Sequence, residues 1–107
     1  MRSGIVYVSD IAAGVISETD SGYEFSYYKD YLRNEYPAVS LTLPLREEAY
    51  TSPSLFPFFD GLIPEGWLLN IVSHNWKLDP RDRFGILLIA CKDPIGNVSI
   101  KETKDEM

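Results

Sequence analysis

The sequence predicts an α+β fold, a small antiparallel sheet packed against about three helices. Two segments, Tyr23-Glu24-Phe25-Ser26-Tyr27 and Val39-Ser40-Leu41-Thr42-Leu43, alternate strictly between apolar and polar residues. That is the period of a half-buried strand, and such strands make an antiparallel sheet with one wet face. Between residues 55 and 63, Leu55, Phe56, Phe59, Leu62 and Ile63 fall within a helical stripe about 120° wide, the width of a core-facing side. Strand signals fill the first half of the chain and helix signals the second.

Taken in order, Ile5-Val6-Tyr7-Val8 is a short β-prone run closed by Ser9-Asp10. Residues 11–17 form a second, with Gly14 expected at a bulge or a close backbone approach. Thr19-Asp20-Ser21-Gly22 is dense in turn formers and reverses the chain into the aromatic strand at 23–27. Residues 29–36 suit two helical turns ending before Pro37, and the strand at 39–43 stops at Pro44. Ser52-Pro53 reads as a helix start, with Ser as N-cap and Pro at the first helical position. In that helix Phe58 lies at the edge of the stripe and Pro57 strains the second turn. Gly61 and Pro64-Glu65-Gly66 end it. A second helix is expected over 67–76, with Leu68, Leu69, Val72 and Trp76 inward. A third starts at Asp79-Pro80-Arg81-Asp82, with Asp79 as N-cap and Asp82 in the first turn. Its apolar run from Phe84 to Cys91 is expected to be the most buried segment. Asp93-Pro94-Ile95-Gly96-Asn97 then turns the chain into a last strand at 98–100.

A length of 107 residues predicts one domain, here 1–101, followed by a charged, frayed tail at 102–107. Hydrophobic residues at 45% and charged residues at 24% are ordinary for a globular chain and argue against disorder. The longest apolar run is far short of the ~20 residues a membrane helix needs, and no basic segment leads into an apolar one at the N-terminus. Cys91 is the single cysteine and has no intramolecular partner, which fits a cytoplasmic protein. A net charge of −6 argues against direct nucleic-acid binding and permits a basic protein partner.

Little in the chain carries reactive chemistry. His74 is the single histidine, so no triad and no metal site is expected, and no cofactor. Asp79, Asp82 and Asp93 lack the spacing of a calcium loop, and capping and turn roles explain them. Arg46-Glu47-Glu48 and the Arg81 and Arg83 pair read as solvated surface. The informative residue is Trp67. On the 67–76 helix it projects about 140° from the inner face, where a tryptophan is costly to leave in water and typical of an interface hot spot. The alternative is a non-helical first turn that tucks Trp67 into the core. Glu65 either stabilises a helix start or pairs with a partner. Gly66 and Leu68 flank the indole, and Ile71 and His74 share its outer stripe. These six residues, Glu65, Gly66, Trp67, Leu68, Ile71 and His74, form the candidate partner-binding surface.

Five stretches carry a family resemblance: Phe25-Ser26-Tyr27, Ser40-Leu41-Thr42-Leu43-Pro44-Leu45, Phe58-Phe59-Asp60-Gly61-Leu62-Ile63-Pro64-Glu65-Gly66, Asp82-Arg83-Phe84-Gly85-Ile86-Leu87-Leu88 and Asp93-Pro94-Ile95-Gly96-Asn97-Val98. Their order and spacing resemble the N-terminal subdomain of HipA-type serine/threonine kinases, the toxins of bacterial toxin–antitoxin systems. A subdomain of this kind standing alone is similar to the HipS components of tripartite HipB–HipS–HipT systems. The resemblance implies a non-enzymatic antitoxin that binds and inhibits a HipT-like kinase, in a complex with a HipB-like helix-turn-helix DNA-binding protein. It leaves open a lid role, in which the chain completes and stabilises the kinase fold without blocking its active site.

Overall fold

The computed structural model describes residues 2–63, 81–90 and 97–103. Strand β1 (Ser3–Val8) turns into β2 (Ile11–Thr19) through Ser9 and Asp10. Both take positive φ, 50° and 68°, the combination that a type I′ hairpin turn needs to match strand twist. A second two-residue reversal, Asp20-Ser21, leads into β3 (Gly22–Tyr27). Strand β4 (Tyr50–Ser52) adds antiparallel to β3, and β5 (Val98–Glu102) adds antiparallel to β1. The result is one five-stranded antiparallel sheet in the order β4-β3-β2-β1-β5.

The β1–β2 register slips between Val6 and Tyr7, because Val6 faces Gly14 while Tyr7 faces Ala12. The bulge therefore falls beside Gly14. A Cβ on Gly14 would lie 2.2 Å from the Ser26 carbonyl oxygen, so both expectations for this glycine hold.

One face of the sheet carries Val6, Ile16, Phe25 and Ile100, each fully buried. Against it pack α1 (Lys29–Arg33), α2 (Pro57–Asp60) and α3 (Arg83–Ala90), which contribute Tyr31, Phe59, Phe84, Ile86, Leu87 and Leu88 to a single core. The opposite face carries Ile5, Tyr7, Val15, Ser17, Glu24 and Ser26, all only partly covered. The α+β fold class is thus the observed one, and residues 84–88 of α3 are buried as their all-round apolarity requires, while Ile89 is exposed.

Four local expectations need correction. Residues 39–43 are a tight turn rather than a strand, with a bridge between Ser40 and Leu43 and the Leu43 N–H donating to the Ser40 carbonyl at 3.0 Å. Their alternation buries Val39 and Leu43, but around the hydroxyl of Tyr27 instead of on a sheet. Ser52 closes β4 and caps no helix. The helix begins at Pro57, where the missing proline N–H costs nothing, and Pro57 holds Phe56 extended (φ −55°, ψ 133°). Helix α1 ends at Arg33, capped by Asn34. Asp82 lies ahead of α3 rather than inside its first turn, and its carboxylate accepts from the Gly85 N–H at 3.1 Å. The expected helix at 67–76, its cap at Asp79 and the turn at 93–96 lie outside the described residues.

Candidate functional site

The segment bearing the predicted recognition residues, 64–80, lies in sequence between α2 and α3 and outside the described residues. Phe59 is fully buried and packs edge-on against Phe56 and Phe58, with Phe25 of the sheet 5.4 Å away. The Leu62 N–H donates to the Phe59 carbonyl and the Ile63 N–H to the Asp60 carbonyl, so the helical turn carries on to a buried Ile63. Asp60 Oδ1 accepts from Arg83 Nε at 2.7 Å. This ion pair corrects the reading of Arg83 as plain surface. It joins α2 to α3, two described elements that lie on either side of residues 64–80 in sequence.

A second clamp holds the start of α3. The guanidinium of Arg2 donates to both carboxylate oxygens of Asp82, at 2.7 and 2.9 Å, and to both of Glu18, at 2.9 and 2.7 Å. The fork ties β1, β2 and α3 together and lies 5.5 Å from the Phe84 ring centroid. Gly85 leaves the room it occupies: a Cβ there would come within 2.4 Å of Asp82 Oδ2. Hydrogen bonds from Arg2 hold the Glu18 and Asp82 carboxyls below their ordinary range, and those two carboxylates push the Arg2 guanidinium up.

The third feature is the loop between α1 and β4. The Tyr27 hydroxyl accepts from the Val39 N–H at 2.9 Å and donates to the Leu43 carbonyl. Tyr31 donates to the Pro37 carbonyl and Tyr50 to the Pro44 carbonyl, each at 2.6 Å. Burial pushes the Tyr27 and Tyr31 hydroxyls up in pKa, so both remain neutral donors at physiological pH.

Glu65, Gly66, Trp67, Leu68, Ile71 and His74 all lie outside the described residues, as does Cys91. What the structure adds is the framework on either side of the first six. Among the described residues no group of three or more His, Cys, Asp or Glu could hold a metal ion, and no helix is long and apolar enough to cross a membrane. The Arg2 fork and the exposure of Leu41 are among the features that escaped sequence reasoning. The Arg2 fork joins residues 16 and 80 positions apart, and no spacing rule reveals such a contact. Leu41 is 99% exposed although its alternation placed it on a strand, and its position between Ser40 and Thr42, both turn formers, was the available signal.

Residues 4–101 match the family model of the HipA N-terminal domain. An uncharacterized protein of Haemophilus influenzae is 35% identical over 104 residues, covering 97% of this chain and 95% of that protein. Among solved structures, the N-terminal domain of HipA toxin superposes with a TM-score of 0.78 at 29% identity, over 99% of this chain and 96% of that one. The five-stranded antiparallel sheet and its helices are the fold of that domain. Sequence, relative and fold agree along nearly the whole length, and the chain belongs to the HipA N-terminal domain family.

Proposed function

We propose that this chain is a HipS-like antitoxin, which binds a HipT- or HipA-like serine/threonine kinase and inhibits it in a complex that includes a HipB-like helix-turn-helix protein. The observation that carries this reading is the family match over residues 4–101, since the matched structure is a domain of a HipA toxin. The chain acts by binding and has no catalysis of its own. Its acidic charge suits a basic protein surface and not DNA.

In this reading Trp67 is the anchor, with Glu65, Gly66 and Leu68 around it and Ile71 and His74 at its rim. The indole enters a cleft of the kinase and blocks substrate access or productive closure. The Phe59 platform and the Asp60–Arg83 pair support the reading by fixing both ends of the segment that carries it.

The test uses the purified kinase and Trp67→Ala. Loss of a buried interface tryptophan should weaken binding by about 2 kcal/mol or more, roughly thirty-fold, and abolish growth rescue. Unchanged affinity with full rescue removes Trp67 from the mechanism. Strong thermal stabilisation of the kinase with autophosphorylation intact would assign the chain a lid role instead.

A further inference from the structure

Residues 34–49 join α1 to β4 with no helix or strand of their own apart from the Ser40–Leu43 bridge. Most such connections run ~4–6 residues, and structureless ones much longer are commonly functional or disordered. This one is pinned along its length. The hydroxyls of Tyr31, Tyr27 and Tyr50 hold it at Pro37, at Val39 and Leu43, and at Pro44. Arg46 stacks 3.7 Å over the Tyr50 ring and donates to the Glu48 and Ala49 carbonyls. At the tip, Ser40 Oγ accepts from the Thr42 N–H at 3.2 Å and lies 3.0 Å from the Thr42 hydroxyl. Val39 and Leu43 are buried on either side, while Leu41 stands 99% exposed between them. A lone surface leucine is ordinary. A leucine held outward on a braced turn is preorganised, because little ordering entropy remains to be lost when it meets a partner.

The surroundings restrict the partner. Glu35, Glu47 and Glu48 are exposed along the same loop, and Arg46 is engaged with Tyr50 and the backbone. The chain carries a net charge of −6, which opposes pairing with a copy of itself. Among the described residues, one open depression is lined by Thr19, Ser21, Tyr23, Glu24, Thr51, Ser52 and Pro53, and another by Lys29, Leu32, Arg33 and Glu47, so each has a charged side chain in its wall.

We propose that Leu41 is a second anchor, separate from the segment at 64–80, which seats in an apolar socket rimmed by Lys or Arg on the kinase. This rests on the proposed function, which supplies the kinase as partner. The test compares wild type, Leu41→Ser and Trp67→Ala for kinase affinity at low and high salt, with thermal unfolding as control. Leu41→Ser should bind about ten- to a hundred-fold more weakly, the range for losing one buried leucine, while its unfolding midpoint stays within error. Wild-type affinity should fall as salt screens the rim. Tight wild-type binding that Leu41→Ser leaves unchanged overturns this inference alone. No wild-type binding overturns the proposed function and this inference with it. A wild-type dimer that Leu41→Ser dissociates would also overturn it, by assigning the tip to self-association.

Discussion

Replacing Tyr27 with Phe deletes one oxygen atom, and the structure gives that atom two buried duties. It accepts the Val39 N–H and donates to the Leu43 carbonyl, at a residue only 6% exposed. The ring itself stays packed against Phe25 and Tyr31, so no cavity larger than the hydroxyl forms. The cost is therefore that of two backbone groups left buried without partners, about 1–3 kcal/mol each and about 2–4 kcal/mol together after partial relaxation. A domain of this length has about 5–15 kcal/mol of stability in total. At roughly 4–6 °C per kcal/mol, the unfolding midpoint should fall by about 10–20 °C. The control is Tyr50→Phe, whose hydrogen bond to Pro44 is solvent-exposed and whose loss should cost under about 1 kcal/mol. Urea unfolding followed by circular dichroism measures both. A Tyr27→Phe variant within about 0.5 kcal/mol of wild type, or no worse than Tyr50→Phe, would refute the claim that this hydroxyl organises the loop.

Acid stability should report the Arg2 fork. Arg2 lowers the pKa of Glu18 and Asp82 in the folded chain, so the unfolded chain takes up protons first as pH falls. Their contribution is complete above the ordinary carboxylate values near pH 4–4.5 and is lost as pH drops through the depressed folded values. Arg2→Met should flatten the dependence of the urea midpoint on pH below about pH 4.5, and equal slopes would show that the fork carries no linkage. Gly14→Ala should destabilise by about 2–4 kcal/mol, because the new methyl meets a backbone carbonyl oxygen that cannot swing aside. Near-wild-type stability of that variant would mean the β2–β3 approach is looser than the structure has it.

Local chemistry made much of this fold readable. The aromatic alternation at 23–27, the turn formers at Ser9-Asp10 and Asp20-Ser21, and the all-round apolarity after Phe84 each fix a local conformation through neighbours a few residues away. Where reading failed, a distant atom or a single proline decided. The alternation at 39–43 is as regular as that at 23–27, but the Tyr27 hydroxyl offers its backbone a partner before any strand can. Strand β4 is three residues long and exists because β3 lies beside it, so no run of its own announces it. The helix expected from Ser52 shrank to Pro57–Asp60 because Pro57 is favourable at a first helical position and strained inside a helix.

The candidate site divides in the same way. Its proposed recognition residues were named from composition and spacing, as a tryptophan beside a Pro-Glu-Gly break. The parts that frame it, Asp60 with Arg83 and Arg2 with Glu18 and Asp82, pair charges whose separation in sequence gives no hint of contact. The sequence alone determined the fold class and the acidic character of the chain, since these rest on local pattern and composition, and its motifs carried the resemblance to the family. Only the tertiary structure decided which carboxylates the arginines hold, and that Leu41 points into water from a turn three tyrosines pin in place, because folding alone sets which distant groups meet.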